Sequence, residues 1–330
     1  MADGHPFERL TPDFVLHAIE AQGHLCDGRM LALNSYENRV YQIGREDAEP
    51  IIAKFYRPER WSDAALAEEH ALCHEMAAAD LPVVAPLRDS TGTSLFRHDE
   101  FRIALFPRRG GRAPELDRRE NLQIMGRYLA RMHTLGGGQN FQHRPQMTLE
   151  EDGEGSVKFV LEHCIPADLA AAYASLTTDI IALMRTRLAQ IGTVNTIRVH
   201  GDCHAGNVLW RDDAPHFVDF DDARMAPAVQ DLWMSLSGYP EEQRSQLDAI
   251  LDGYEEFADF DYAELALIEP LRTLRMLHYA AWLGRRWDDP AFPQAFPWFN
   301  SQAYWERHIL ELREQFAALS EPFTAAGGNY

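Results

Sequence analysis

Two aspartates and one asparagine have the types and spacing in this chain that could do chemistry. Asp202 is followed five positions later by Asn207, and Asp219 follows after twelve more. Short apolar runs separate them, and such runs bounded by turn residues predict brief buried strands. A strand–loop–strand hairpin would bring Asn207 beside Asp219, with Asp202 facing both. Mg²⁺ prefers such hard oxygen ligands, and an aspartate that does not bind the metal can orient and deprotonate a hydroxyl.

The same order and spacing characterise the catalytic loop and the metal-binding aspartate of kinases. This chain has His-Gly-Asp where protein kinases have His-Arg-Asp, and Asp-Phe-Asp where they have Asp-Phe-Gly. That variant resembles the aminoglycoside phosphotransferase and choline kinase-like branch of the kinase fold. The pattern predicts an ATP-dependent phosphotransferase that uses Mg²⁺.

A second interpretation of the same residues is a metallophosphoesterase or another metal-dependent hydrolase. His200, Asp202 and His204 alternate along the chain, and together with Asn207 they could belong to a metal centre. That centre would need a second Asp-x-His or a Gly-Asn-His motif, and the sequence shows neither. We therefore expect His200 to hold the backbone of the loop, and His204 to be a loop residue.

Three strand-like runs near the N-terminus predict an antiparallel sheet, at residues 29–33, 39–44 and 51–55. The polar segment Asn34–Asn38 joins the first two runs, where a kinase places the loop that covers the nucleotide phosphates. The usual G-x-G-x-x-G pattern is absent from it. Backbone N–H groups and the Ser35 hydroxyl could still bind phosphate oxygens, so Ser35 is a candidate for the ATP site.

Lys54 ends an Ile-Ala-Lys run that has the form of the strand lysine in the kinase motif V-A-I-K. A lysine in an apolar strand needs a partner to offset the burial of its charge. Ser62 is predicted to cap a helix that runs to about residue 79 and carries Glu68 and Glu69. We expect Glu69 to pair with Lys54 and to fix it on the nucleotide phosphates. Its distance to Leu81-Pro82 resembles the spacing in antibiotic kinases.

The predicted fold is α+β and bilobal, like that of protein kinases. A small N-terminal antiparallel-sheet lobe should comprise residues 1–107, and a larger, mainly helical C-terminal lobe residues 108–330. Residues 101–106 are predicted to form the last strand of the small lobe. The segment 107–111 would then be the hinge, where adenine hydrogen-bonds to backbone groups.

Helices are predicted to dominate the second part of the chain, at about 116–132, 168–191 and through most of 240–319. The acidic stretch Glu150–Glu154 is interpreted as a solvated loop. Four of the seven tryptophans lie near the C-terminus among several phenylalanines, and we expect most of them to be core residues. These are Trp282, Trp287, Trp298 and Trp305.

Composition limits the classes of partner. The formal net charge of −20 over 330 residues argues against binding to nucleic acid, whose phosphates attract basic surfaces. The four cysteines form no C-x-x-C pair and are interpreted as reduced thiols. The N-terminus shows no signal-peptide pattern, and no apolar run is expected to reach the length of a membrane span. A cytoplasmic monomer is expected.

Several segments together resemble one subfamily, the bacterial stress response kinase A proteins. They include LNSYENRVYQI, KFYRPERW, HGDCHAGNVLW, FVDFDDAR and DLWM. The resemblance runs from about Thr11 to Leu319. Members of this family are cytoplasmic serine/threonine protein kinases with an antibiotic-kinase-like fold.

This resemblance implies a role for each candidate residue. Asp202 would accept the proton of the attacking hydroxyl, Asn207 and Asp219 would hold Mg²⁺, and Ser35 would lie in the ATP site. The substrates would be serine and threonine hydroxyls of proteins, including the enzyme itself, in a stress response. Relatives of the same fold phosphorylate small molecules such as aminoglycosides, choline or homoserine, so a metabolite kinase is the alternative. Because no long activation segment follows Asp219, activity is expected to be constitutive.

Overall fold

Residues 5–321 are described by the structure, a computed structural model. The first helix is α1 (Pro12–Glu20). The Thr11 hydroxyl accepts a hydrogen bond from the Phe14 backbone N–H at 3.3 Å, and proline occupies the first helical position. Gly23 follows the helix with a φ of 85°, in the left-handed region that glycine adopts most easily.

A five-stranded antiparallel sheet follows, as predicted. Its spatial order is β1-β2-β3-β5-β4. Strand β3 is central, and Lys54 lies in it opposite Val40 of β2 and Ala104 of β5. The strands are β1 (Cys26–Ala32), β2 (Arg39–Arg45), β3 (Ala48–Phe55), β4 (Phe96–His98) and β5 (Phe101–Pro107).

The helix that carries the two candidate glutamates, α2 (Asp63–Ala78), lies between β3 and β4 in the chain. Ser62 caps it as predicted, because its hydroxyl accepts a hydrogen bond from the Ala65 N–H at 3.1 Å. Glu69 and His70 are buried on this helix, together with Leu66, Leu72 and Met76. The buried residues of α2 therefore include charged and polar side chains as well as apolar ones.

Two further helices and two short strand pairs complete the surroundings of the candidate site. Strand β6 pairs with β9, and β7 forms a hairpin with β8. After β5 the chain runs beside this hairpin, where Arg112 and Trp210 exchange backbone hydrogen bonds of 3.1 and 2.7 Å. The elements are α3 (Arg119–Gly136), β6 (Ile197–Val199), β7 (Val208–Arg211), β8 (Ala214–Phe217), β9 (Arg224–Ala226) and, later in the chain, α7 (Pro240–Tyr254).

Helices α3 and α7 pack with their backbones in close approach, and glycines make this possible. A Cβ atom on Gly126 would lie 1.9 Å from the Ile250 carbonyl oxygen, and one on Gly253 would lie 2.0 Å from that of Gln123. At the end of α3, a Cβ on Gly136 would lie 2.2 Å from the Arg198 carbonyl oxygen. Strand β6 therefore rests directly on the last turn of α3.

The chain divides into two compact units. Unit 1 comprises the described residues up to Pro145, together with Ile197–Met225 and Met234–Asp259. Unit 2 comprises Gln146–Thr196, Ala226–Trp233 and the described residues from Phe260 onwards. Every candidate site residue named from the sequence belongs to unit 1. The two lobes expected from the sequence, residues 1–107 and 108–330, stay a prediction.

Unit 2 is helical. It contains α4 (Gly155–His163), α5 (Ala167–Ile191), α6 (Val229–Trp233), α8 (Ile268–Arg285), α9 (Ala291–Ala295) and α10 (Gln302–Ser320). The prediction of a solvated acidic loop at residues 150–154 is wrong, because Leu149–Glu154 forms a turn of π-helix in which Asp152 is buried. The Asp152 carboxylate accepts a hydrogen bond from the Thr148 N–H at 2.9 Å, which anchors the turn.

Aromatic side chains fill the centre of unit 2, as expected for the C-terminal tryptophans. Tyr173, Phe292, Phe299 and Trp305 are almost completely buried, and Trp298 remains 44% exposed. Edge-to-face and tilted contacts join them, with ring centroids 5.4 Å apart for Phe299 and Trp305 and 6.4 Å for Tyr173 and Trp305. We call Tyr173, Phe292, Phe299, Tyr304, Trp305 and His308 the aromatic core.

Helix α5 corrects the expectation that no segment is long enough to cross a membrane. By length and composition alone its 25 residues suffice, with a mean hydropathy of 1.3 in the relevant window. A single helix of this kind is weak evidence, because core helices pass the same test. Tyr173, Ile180 and Met184 on one face of α5 are buried among the side chains of unit 2.

Candidate active site

The β7–β8 hairpin brings Asn207 and Asp219 together, as the sequence predicts. Val208 pairs with Phe217, and one residue further out the Val218 N–H donates to the Asn207 carbonyl oxygen at 3.0 Å. His200 supports the adjacent loop from within, because its Nε2 lies 2.9 Å from the Val218 carbonyl oxygen. The loop between β6 and β7, which carries Asp202 and Asn207, is thus joined to the segment before Asp219 by a backbone hydrogen bond and by the His200 ring.

Asp202 has two side-chain neighbours on its own loop. The Asn207 amide nitrogen donates to the Asp202 carbonyl oxygen at 2.9 Å and lies 3.5 Å from the carboxylate Oδ2. His204 Nε2 lies 3.4 Å from the same Oδ2. Because His204 Nδ1 accepts the Gly206 N–H at 2.9 Å, the neutral imidazole carries its proton on Nε2, facing Asp202. Both neighbours therefore contact one carboxylate oxygen of Asp202.

Lys54 contacts carboxylates from two parts of the chain. Its Nζ lies 2.8 Å from Asp219 Oδ1, 3.2 Å from Asp221 Oδ1 and 3.8 Å from Glu69 Oε1. The ammonium group is buried, with 5% of the side chain exposed. Glu68 has a different position, because its carboxylate accepts the backbone N–H groups of residues 142–144 at 2.7–3.0 Å. Of the two candidate glutamates, Glu69 is the one within ion-pair distance of Lys54.

Two arginines enlarge this group of charges. Arg60 forms ion pairs with Asp221 and, at 2.7 Å, with Asp222. Arg144 lies 3.4 Å from Glu69 Oε2, with its guanidinium fully buried. We call the six residues of this group the charged cluster: Lys54, Arg60, Glu69, Arg144, Asp219 and Asp221.

The protonation of the charged cluster follows from burial and pairing together. Burial alone would lower the pKa of Lys54, but the charges of Asp219 and Asp221 raise it well above its usual value. Burial raises the pKa of Glu69 to about 7, against the opposing charges of Lys54 and Arg144. Burial also opposes ionisation of Asp221, but the positive charges of Arg60, Lys54 and Arg144 together outweigh it and lower the pKa of Asp221. Lys54 is therefore cationic, and Asp221 anionic, at neutral pH.

Asp219 has a backbone conformation that is rare outside glycine. Its φ and ψ are 61° and 67°, in the left-handed region, and it begins the short 3₁₀ turn Phe220–Asp222. Aspartate tolerates this region better than most residues, yet the conformation is retained only where surrounding contacts hold it. The Asp219 side chain is 46% exposed, although Lys54 binds one of its oxygens. One carboxylate therefore contacts both a buried lysine and the solvent side of the site.

Ser35 makes its hydrogen bond within its own loop. It is in the loop between β1 and β2, and its hydroxyl donates to the Asn38 carbonyl oxygen at 3.2 Å. Buried Asn38 anchors this loop by accepting the Arg57 N–H on its side-chain oxygen at 2.9 Å. The Ser35 hydroxyl thus closes the hairpin loop in this structure.

Sequence reasoning gave no role to Arg60, Arg144 or Asp221. Arg60 was visible within the KFYRPERW segment, and Asp221 follows Asp219 by two positions in FVDFDDAR. Arg144 carries no comparable signal, because it lies in an irregular segment and hydrogen-bonds mainly to backbone carbonyl groups. Every residue has a backbone carbonyl group, so residue types cannot show which carbonyl groups Arg144 binds.

The donor groups fit a magnesium ion. Mg²⁺ takes few protein ligands, mostly carboxylate and amide oxygens, and completes its shell with water and phosphate oxygens. Asn207 commits its amide nitrogen to Asp202, which leaves the amide oxygen as the group that could bind a cation. Asp219 can offer a partly exposed carboxylate. Among residues 5–321, no group of three or more His, Cys, Asp or Glu side chains could hold a metal ion, so the hydrolase interpretation lacks its further ligands.

Comparison with known proteins agrees with this geometry. The model of the phosphotransferase enzyme family, which describes aminoglycoside phosphotransferase-type enzymes, matches residues 30–268. The chain belongs to this phosphotransferase family. The match contains all six residues of the charged cluster together with Asp202 and Asn207. With the kinase relatives described next, it shows that the chain is a kinase-family enzyme.

Two relatives and one solved structure refine the comparison. Stress response kinase A of Escherichia coli O157:H7 is 47% identical over 317 residues, which cover 96% of this chain and 95% of the relative. The serine/threonine protein kinase RdoA of Salmonella typhimurium is 45% identical over 321 residues, with the same coverage. The resemblance found in the sequence is confirmed. A complex of amicoumacin kinase hAmiN with AMP-PNP, Ca²⁺ and Ami shares the fold, with a TM-score of 0.71, 21% identity and 90% coverage of both chains.

Proposed function

We propose that this phosphotransferase is a serine/threonine protein kinase that transfers the γ-phosphate of ATP to protein hydroxyls. The main support is the similarity to two named kinases, each of which aligns with 96% of the chain. They are a stress response kinase A and a serine/threonine protein kinase RdoA. The name of the first relative supports a role in a stress response, and we further propose that the protein acts in the cytoplasm as a monomer that can phosphorylate itself. We also propose that residues 1–107 and 108–330 act as two lobes joined by a hinge at 107–111.

Each candidate residue has a role in this proposal. Asp202 accepts the proton of the attacking hydroxyl, and Asn207 and Asp219 hold Mg²⁺, which neutralises phosphate charge during transfer. Lys54, oriented by Glu69, binds the nucleotide phosphates. Ser35 and the neighbouring backbone N–H groups cover these phosphates when ATP is bound.

The position of Lys54 is the observation that best supports a nucleotide site. Its ammonium group lies between the candidate metal ligand Asp219, at 2.8 Å, and the helix residue Glu69, at 3.8 Å. A buried lysine with several carboxylate neighbours costs desolvation energy that a purely structural role does not require, and such clusters are typical of functional sites that bind anionic ligands. ATP supplies such a ligand, and the divalent cation that accompanies it would offset the charge of Asp219.

The alternative is a kinase that acts on a hydroxyl of a small molecule. The observation in its favour is the fold neighbour named amicoumacin kinase, whose structure contains AMP-PNP and Ami. Both functions use the same base, metal ligands and lysine. They differ only in the molecule that carries the acceptor hydroxyl.

Labelling with [γ-³²P]ATP distinguishes the two functions. The purified protein should label itself or a generic protein substrate in the presence of Mg²⁺, and the label should be stable to acid. Asp202→Asn keeps the shape of the side chain but cannot accept the proton, so labelling should fall by about 10²–10⁴. Nucleotide binding should be retained. His216→Gln, on the hairpin but outside the proposed machinery, serves as the control and should label normally.

Two results would reject parts of the proposal. If Asp202→Asn labels protein as fast as the unaltered enzyme, Asp202 is not the base. If the unaltered enzyme ignores proteins but consumes ATP rapidly with a hydroxyl-bearing metabolite, the small-molecule function is correct. Full turnover in excess EDTA would exclude the assignment of Asn207 and Asp219 to the metal.

A further inference from the structure

The side chain of Arg144 is fully buried, and its donors are divided between two elements. Its Nε and Nη2 donate to the carbonyl oxygens of Ala223 and Asp221. Its Nη1 donates to the Ala65 carbonyl oxygen at 3.3 Å and to Glu69 Oε2 at 3.4 Å. A planar guanidinium can satisfy such a divided set of acceptors, whereas a lysine ammonium cannot. Arg144 therefore joins the Asp219–Ala223 loop to helix α2.

The backbone that carries Arg144 is itself fixed by helix α2. The Glu68 carboxylate accepts three consecutive N–H groups, from Gln142 at 2.7 Å, His143 at 2.9 Å and Arg144 at 3.0 Å. Charge-assisted hydrogen bonds of this kind are stronger than neutral ones. The two adjacent glutamates of α2 thus have complementary roles: Glu68 binds the main chain at Arg144, and Glu69 binds its side chain.

Arg60 holds the same Asp219–Ala223 loop, but through the side chains of the loop residues. Its two Nη atoms bind the carboxylates of Asp221 and Asp222, the latter at 2.7 Å. The guanidinium groups of Arg60 and Arg144 both lie over the Trp61 indole ring, at 5.0 and 4.6 Å from its centroid. One arginine binds the carboxylates of the loop, and the other binds its carbonyl groups.

We propose that Arg144, together with Arg60, is a positioning residue for the phosphotransfer reaction. By fixing the main chain of the Asp219–Ala223 loop, it holds the left-handed backbone of Asp219 and directs the carboxylate toward the metal. The loop is thereby formed before any ligand binds, with no need for a covalent modification. The kinetic part of this inference rests on the proposed function, and the structural part does not.

Arg198 provides a matched control for Arg144. It too is buried, with 4% of its side chain exposed, and it donates to two carbonyl oxygens, those of Gly136 and Leu135. It pairs with Glu75 at 2.9 Å and lies over the Phe141 ring at 5.8 Å. Arg144→Lys and Arg198→Lys therefore remove similar buried interactions, but only the first affects the Asp219–Ala223 loop.

The test measures two quantities on the full-length protein. Arg144→Lys should raise the Mg²⁺ concentration for half-maximal ATP turnover by about tenfold or more, as loss of an outer-shell partner of a metal ligand typically does. It should also accelerate amide hydrogen exchange at residues 219–223 in the protein without nucleotide. Arg198→Lys should leave both quantities unchanged, even if its melting temperature falls equally.

The outcomes are distinguishable. Unchanged exchange at 219–223 in Arg144→Lys, or an equal shift of the Mg²⁺ requirement in both variants, would overturn the inference. If the unaltered protein does not turn over ATP, the proposed function fails, while the exchange measurement still decides whether Arg144 orders the loop. Should Arg144→Lys not fold, Glu68→Gln replaces it, because this variant weakens the anchor of Arg144 without altering the buried guanidinium. It should show the same two changes to a smaller extent, and unchanged exchange at 219–223 in it would likewise overturn the inference.

Discussion

The charged cluster of unit 1 and the aromatic core of unit 2 are both buried, but they are built from opposite materials. In the charged cluster, Lys54 is surrounded by three carboxylates within 3.8 Å, and two arginines balance them. In the aromatic core, Phe299 and Trp305 pack ring against ring, with 2% and 1% of their surfaces exposed. Apolar burial stabilises a fold directly, whereas buried ion pairs often only recover the cost of their own desolvation.

The difference indicates what each region is for. A chain that only needed a stable unit 1 could fill the space around Lys54 with apolar side chains of similar volume, as unit 2 does around Trp305. It retains charges that must all be present together, because removal of any one leaves another unpaired. We infer that the charged cluster is maintained for its chemistry and the aromatic core for stability.

Neutralising Lys54 should have the largest effect. Lys54→Met leaves Glu69 and two aspartates without their shared cation, and breaking a buried pair in this way costs about 3–5 kcal/mol in the free energy of unfolding. ATP turnover should fall below detection. The double variant Lys54→Met/Glu69→Gln removes charge from both partners and should recover much of the stability, but none of the activity. Chemical denaturation and an ATPase assay measure the two effects. A double variant no more stable than the single one would contradict the view that the cluster costs stability.

Truncation in the aromatic core should reduce stability without affecting the nucleotide site. Trp305→Ala leaves a large cavity and should cost about 3–5 kcal/mol in the free energy of unfolding. Trp305→Phe is the matched control and should cost less, because it keeps a ring and removes an indole N–H that has no hydrogen-bond partner in the described structure. Both variants should bind ATP normally below their melting temperatures. Loss of ATP binding in folded Trp305→Phe would break the proposed separation of roles.

Acid should destabilise unit 2 through His308. Burial lowers the pKa of this histidine to about 4, so its neutral form is favoured in the folded state. The stability that depends on a neutral His308 is fully present above pH 6.5, which is the pKa of a histidine in the unfolded chain. It is lost as the pH falls toward 4, the pKa of His308 in the folded state. Between pH 6.5 and 5 the loss is about 2 kcal/mol. Denaturation curves at a series of pH values should show this slope, and His308→Gln should flatten it. An unchanged slope would assign the effect to another group.

The smallest pH effect is expected from His70 and Glu69 of unit 1 taken together, because the shifts of their pKa values oppose each other. Burial and the charge of Lys54 lower the pKa of His70 to about 3, while burial raises that of Glu69 to about 7. As the pH falls from 6.5 to 4.5, His70 lowers the stability of the folded state and Glu69 raises it, so the sum of these two contributions should change by less than about 1 kcal/mol. His70→Gln should expose the Glu69 contribution, and α2 amides should then exchange more slowly at pH 5 than at pH 7 after correction for intrinsic rates. The same correction applied to the unaltered protein gives the baseline.

The predictable parts of the site are those that depend on the order of motifs along the chain and on the periodicity of apolar residues. Three features were predictable because each belongs to a regular element. They are the helix cap at Ser62, Lys54 in an apolar strand, and Glu69 on the following helix. The hairpin that joins Asn207 to Asp219 was predictable from two short apolar runs. The contacts of Arg144 were not, since its carbonyl partners lie 77 and 79 positions away and have no side-chain signature.

The acidic stretch at 150–154 shows a different limit of sequence reasoning. Its charges suggested solvent, but only the side chains at Glu150 and Glu151 are exposed. The Asp152 carboxylate accepts the Thr148 N–H, and the Thr148 hydroxyl accepts the Glu151 N–H, and these two bonds close the helical turn. Local side-chain-to-backbone bonds of this kind decided the structure, and average polarity did not.

The contact between α3 and α7 also determines when, during synthesis, the enzyme can become active. Ribosomes release the chain from its N-terminus, so the sheet that holds Lys54 is complete long before residues Pro240–Tyr254 exist. Helix α7 packs backbone against backbone on α3, and α3 in turn carries strand β6 at Gly136. All of Gln146–Thr196 is translated in between, and it belongs to the other unit. A nascent chain therefore carries its lysine and its acidic loops without the helix that supports them, and catalytic competence arises only once translation has passed Tyr254.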